Sequence, residues 1–176
     1  IITQPSSQTV CQGANATFTV VTSGNFQSYQ WQVKVGAAAF TDIAGATNAT
    51  LILPAVATTL SGNQYRVIIT NSCSTVTSTA ATLTVNPSAV VTVAALTNKM
   101  CLTDTSVVPL SATPVGGTWS GIGVSGSNFI PAATAVGTYT LTYTYTNSSG
   151  CTATGNVIAK VEDCQERIIL LRDDAV

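Results

Sequence analysis

The residues of this chain able to do chemistry are few: five cysteines, seven carboxylates, six Lys or Arg and no histidine in 176 residues. Without histidine, the usual general base for a hydroxyl or thiol nucleophile is missing. Before Glu162, where a charged tail begins, the acids are only Asp42 and Asp104. They fall in different halves of the chain, so the paired carboxylates of a glycosidase are not expected. Asp42, in "FTDIAG", reads as turn chemistry. Even the nearest two cysteines, Cys151 and Cys164, are well separated in sequence, which argues against the clustered ligands of a zinc site. The stretch "GGTWSGIGVSGS" is rich in glycine, yet it lacks the lysine and the strand-to-helix setting of a phosphate loop. It reads as turns flanking a strand. The expectation is a non-catalytic chain with no catalytic residue, metal or cofactor.

Charge narrows the partners. More than half of the charged side chains lie from Glu162 onward: Glu162, Asp163, Glu166, Arg167, Arg172, Asp173 and Asp174. The body is nearly neutral, and no basic stripe is present to neutralise phosphates, which argues against nucleic acid as a partner. The longest apolar run, "LILPAVA" at 51–57, contains Pro54 and is far shorter than the roughly 18 residues a spanning helix needs. Membrane insertion is not expected. The sequence starts at Ile1 without a charged-then-apolar leader, and reads as a processed product or an excised fragment. Solubility rests on Thr, Ser, Asn and Gln, a surface common in exported β proteins.

The elements that must carry these residues are strands. In "YQWQVKV", Tyr29, Trp31, Val33 and Val35 alternate with Gln30, Gln32 and Lys34, the period of a half-buried strand. "ATFTV", "ATLILPAV", "QYRVIIT", "TYTLTYTYT" and "NVIAKV" are further β-branched runs between Gly, Asn, Ser and Pro clusters, and none shows a helical period. The chain also repeats itself. Cys11 precedes Trp31 at nearly the spacing by which Cys101 precedes Trp119; "GNQYRV" and "GTYTLT" follow, then "TNSC" and "TNSSGC". Two tandem all-β sandwiches are predicted, over 1–86 and 87–164, with a tail over 165–176. The junction falls in "VNPSAV", where Pro87 cannot extend a ladder.

On "TVCQGANATF", "YQWQV", "GNQYRVIITNSC" and "AATLTV", residues 1–86 resemble the immunoglobulin-like domains strung along large secreted surface proteins of gliding, polysaccharide-degrading bacteria. Through "GGTWSGIGVSGSNFIP" and "GTYTLTYTYTNSSGC", residues 87–164 are similar to the shorter immunoglobulin-like or PKD-like modules of the same proteins. The resemblance implies an extracellular or cell-surface protein exported by the type IX pathway, acting in adhesion or as a spacer. An accessory, carbohydrate-binding role beside a polysaccharide-degrading enzyme is the alternative. The partner would be a protein or polysaccharide surface ligand. In this frame Trp31 fills the space between two sheets, and Tyr65 ties its strand to the preceding loop. Phe18 and Val67 stand where such domains usually carry a core disulfide.

Five cysteines allow fifteen two-bridge patterns. The repeat favours Cys11 with Cys73 and Cys101 with Cys151, each closing a loop worth roughly 4 kcal/mol of chain entropy. Cys164 is then left over, as a free thiol, as a partner for a residue beyond the fragment, or as a competitor for Cys101 or Cys151. Matched cysteines in a Thr-rich β protein point to an oxidising compartment. Phe26 and Phe40, in loops, are candidate ligand-contact aromatics, and the plainer reading is that both cap the sandwich. Tyr139, Leu141, Tyr143 and Tyr145 share one strand face, as core packing or as an aromatic platform. Asn15, Asn48 and Asn147 head sequons that read as turns. The apolar "IILL" of the tail is expected to pack on the second domain, to pair with another chain or to lead into a further domain.

Overall fold

The computed structural model describes residues 1–24 and 28–164. The chain divides into two compact units, Ile1–Ser88 and a second beginning at Ala89. The tail over 165–176 and the loop residue Phe26 lie outside the described residues.

The first unit contains β1 (Gln8–Cys11), β2 (Ala16–Thr19), β3 (Ser28–Lys34), β4 (Thr41–Asp42), β5 (Thr50–Leu53), β6 (Gln64–Thr70), β7 (Thr75–Thr77) and β8 (Ala81–Asn86). One layer runs β1-β8-β6-β3-β4, with β7 also paired to β6; the other is β2-β5. Leading residues first touch the smaller layer, through a Thr3–Val21 bridge. They then cross at buried Pro5 to join the larger one, where β1 runs parallel to β8. Strict alternation in β2 and β6 turns every second side chain into the space between layers, as a half-buried strand demands.

That space is filled as the sequence suggests. Trp31, Phe18 and Val67 are all fully buried, and Trp31 sits opposite Val67 in the β3–β6 ladder. The Phe18 ring stacks on Tyr65 at 4.9 Å and meets Trp31 at 6.4 Å. Burying one such apolar side chain contributes about 1.5–3 kcal/mol, so packing takes the place of a core bridge. The Tyr65 hydroxyl is hydrogen-bonded to the Asn63 side chain in the preceding loop. Between β7 and β8 the strand bulges: the hydroxyl of buried Ser78 accepts from the Val67 N–H at 2.9 Å, and the Ser78 N–H donates to the Val67 carbonyl at 2.9 Å. The bulge thus leaves no backbone group of Val67 unpaired.

The second unit contains β9 (Thr92–Val93), β10 (Met100–Cys101), β11 (Val108–Pro109), β12 (Ala112–Thr113), β13 (Thr118–Ser120), β14 (Val124–Ser125), β15 (Asn128–Phe129), β16 (Gly137–Thr146) and β17 (Thr152–Glu162). Its main layer is β10-β17-β16-β13, and β11-β15-β14 and β9-β12 form the rest. Again a short early strand, β10, lies parallel to the last strand, and the tryptophan strand β13 pairs with β16. The Tyr139 hydroxyl donates to the Ala135 carbonyl at 2.8 Å and accepts from the Ala135 N–H at 2.9 Å. A tryptophan strand in a layered, mainly antiparallel sandwich, paired to a strand whose tyrosine ties it to its approach loop, is the immunoglobulin-like arrangement. Both units have it.

The cysteines pair differently from expectation. Cys101 is bonded to Cys164, with Cα atoms 5.5 Å apart. Cys11 and Cys151 are each disulfide-bonded as well, while Cys73 is an exposed free thiol. The expected Cys101–Cys151 and Cys11–Cys73 bridges are therefore both corrected, and the parallel strands explain why. Cys101 lies opposite Glu162 at the end of β17, whereas Cys151 stands just before the start of that 11-residue strand. The separation is roughly 35 Å at about 3.3 Å per residue, against the roughly 7 Å a disulfide tolerates. Likewise Cys11 faces Asn86 at the end of β8, and Cys73 sits at the far turn between β6 and β7.

Candidate functional site

Most sequence-predicted candidates are absorbed by packing. Phe40 is half-buried, but it does not cap the core. The Arg66 guanidinium lies 3.9 Å from its ring centre, and the Lys34 ammonium 6.0 Å. Arg66 Nε donates to Gln32 Oε1, and Gln32 Nε2 donates to Asp42 Oδ1, both at 2.8 Å. Asp42 thus serves a polar row across β6, β3 and β4. In the other unit, the Asp104 carboxylate accepts from the Ser106 N–H at 3.0 Å and hydroxyl at 2.6 Å. Those bonds hold it below the usual carboxylate range. Among the described residues no three His, Cys, Asp or Glu side chains gather as a metal site would require.

The tyrosine strand is packing as well. Leu141 and Tyr143 are buried. The Tyr143 hydroxyl donates to the Pro114 carbonyl at 2.6 Å and accepts from the Gly117 N–H at 2.7 Å. A Cβ on Gly117 would fall 2.7 Å from that hydroxyl, so this close approach requires glycine.

What sequence reasoning missed is the difference between the two tryptophans. Both stand on a strand paired to the one that carries the loop-tying tyrosine, Trp31 opposite Val67 on β6 and Trp119 opposite Tyr143 on β16. Trp31 is sealed by the chain that follows it. Its backbone N–H donates to the Ala46 carbonyl at 3.0 Å, the Ile43 N–H donates to the Trp31 carbonyl at 2.9 Å, and its indole N–H donates to the Asn48 carbonyl at 2.8 Å. The described residues of the second unit provide no such cover. The chain turns at Gly121–Gly123 straight into β14, leaving Trp119 half-buried with its ring tilted on Tyr143 at 5.1 Å. Among the described residues no acceptor meets its indole N–H.

Trp119 lines a groove of about 340 Å3 with Gly117, Thr118, Ser120, Val124 and Ser127. Among the described residues no charged side chain lines it. The signal was in the spacing: a long connection carries the chain from Trp31 to Thr50 at the start of β5, but a short turn takes it from Trp119 to Val124 at the start of β14.

Among known proteins, the chain is similar to the N-terminal four Ig domains of Dscam1 isoform 6.9, at 12% identity and a TM-score of 0.41, over 89% of this chain and 43% of that one. It is similar to the Ig1-2 module of the Drosophila receptor protein tyrosine phosphatase DLAR at 14% identity and a TM-score of 0.40, over 92% and 97% of the respective chains. Residues 2–87 match a family model described as a domain of unknown function (DUF8696). Endoglucanase C of Cellulomonas fimi is 42% identical over 87 residues, which make up 49% of this chain and 8% of that protein. The chain therefore spans a small part of the curated relative it matches.

Proposed function

We propose that these two sandwiches are non-catalytic accessory modules of an extracellular bacterial protein that acts on polysaccharide, where they space or present its working parts. The observation carrying this reading is the 87-residue match, a module-sized piece making up 8% of a protein named an endoglucanase. Two disulfides add support, since they form and persist in oxidising compartments. The fold itself supports a scaffold, because each unit spends its buried aromatics on packing. The resemblance to surface proteins of gliding bacteria adds the type IX pathway as the route of export.

The test is the reading frame around the segment that encodes this chain, together with a reducing-sugar assay of the chain itself on amorphous cellulose, xylan and mixed-linkage glucan. A hydrolase domain in the same frame and no sugar release are expected. A frame holding only further sandwich repeats would overturn the accessory reading in favour of adhesion. Release of sugar by the chain alone would overturn its non-catalytic character.

A further inference from the structure

The groove beside Trp119 combines three things. It has an aromatic residue that the fold leaves half-open, an indole donor that meets no acceptor among the described residues, and the Ser127 hydroxyl in its lining. In the first unit the corresponding indole is closed over and its N–H is spent on Asn48. Packing therefore does not require the arrangement seen at Trp119, since the same architecture has a sealed solution.

We propose that this groove binds a short segment of an uncharged glycan chain. A sugar ring presents an apolar C–H face and a rim of hydroxyls. The indole offers a flat apolar surface and one N–H donor, and Ser127 offers a hydroxyl able to donate or accept. Concave sites that pair an aromatic wall with a few polar groups suit such ligands. An acidic glycan has no cation to meet here, because no Lys or Arg among the described residues lines the groove. The biological source of the glycan, the polysaccharide on which a linked enzyme acts, rests on the proposed function; the chemistry of the groove does not.

The experiment is a titration of the 15N-labelled protein with cellohexaose, xylohexaose and laminarihexaose, and with oligogalacturonate as the acidic contrast. The chain has two tryptophans, so Trp119→Phe assigns both indole N–H signals. The expected result is saturable movement of the Trp119 signal with at least one neutral chain, a stationary Trp31 signal, and no response to oligogalacturonate. Trp119→Ala should weaken binding on the order of tenfold, the value of one aromatic contact. Trp119→Phe keeps a ring and loses only the N–H, and should weaken it by roughly threefold to tenfold. The proposal is overturned if no neutral chain moves the Trp119 signal, if an extended peptide does so where glycans do not, or if Trp119→Phe binds as the parent does. A silent Trp119 in a frame that does encode a hydrolase would remove the groove while leaving the accessory reading intact.

Discussion

The two units solve one architectural problem with different means. Among the described residues, the core cluster of the first comprises 13 buried apolar residues around Phe18, Trp31 and Tyr65, and that of the second seven, around Phe129 and Leu141. The strand that runs parallel to the last one is held accordingly. In the first unit Ser88, just beyond the Asn86 that faces Cys11, donates from its hydroxyl to the Gln12 carbonyl at 3.2 Å. In the second unit the corresponding position is Cys164, just beyond the Glu162 that faces Cys101, and a covalent bond replaces the hydrogen bond. Cys11 of the first unit is disulfide-bonded as well, and the smaller core carries the Cys101–Cys164 staple. It also leaves its tryptophan half-open.

This contrast predicts unequal costs for the same substitution. Trp31→Ala removes a fully buried ring and should cost about 3–5 kcal/mol, whereas Trp119→Ala should cost less than half of that. Urea denaturation of the whole chain followed by circular dichroism measures both, and equal losses would break the comparison. Next in size is the staple. Replacing Cys101 and Cys164 together by serine opens a loop with a sequence separation of 63, worth about 4 kcal/mol at most in the chain-entropy model. Thermal melts should show the loss in the double variant, and an unchanged melt would deny the staple its role.

A smaller effect belongs to the first unit. Ser78→Ala strips the Val67 N–H of its buried acceptor and should cost about 1–3 kcal/mol, read by denaturant midpoint. Smallest is a pH effect at Tyr65. Burial raises its pKa above the ordinary value, against a smaller lowering by Asn63. On alkaline titration the unfolded chain therefore ionises first. The stability from keeping this hydroxyl neutral is complete below about pH 10 and declines above it as the unfolded chain loses protons. Tyr65→Phe should flatten the fall in melting temperature above about pH 10, and an unchanged slope would contradict the assignment.

The parts legible in the sequence are those set by local period. Alternation places Trp31, Phe18 and Val67 in the core, and the Cys-to-Trp spacing exposes the repeat. The disulfides are not legible. Their partners depend on which strand lies parallel to which, and on register at the far end of a ladder, neither of which short-range pattern encodes. Matched sequence positions make Cys73 look equivalent to Cys151, yet Cys73 is exposed and free while Cys151 is buried and bonded. Phe40 is hard to read for a related reason. Its place beneath Arg66 is set by a neighbouring strand, not by its own loop. The groove at Trp119 is written in a linker length, the short turn to Val124 against the long connection from Trp31 to Thr50. That length means little until the cover over Trp31 is known.

The central claim is that equivalent tryptophans are sealed in one unit and open in the other, and indole hydrogen exchange tests it most directly. When the 15N-labelled protein is transferred into D2O, the Trp31 indole signal should persist, because its N–H is buried and bonded to the Asn48 carbonyl. The Trp119 signal should vanish at once. Equal protection of the two, or a Trp31 signal that disappears first, would contradict the account.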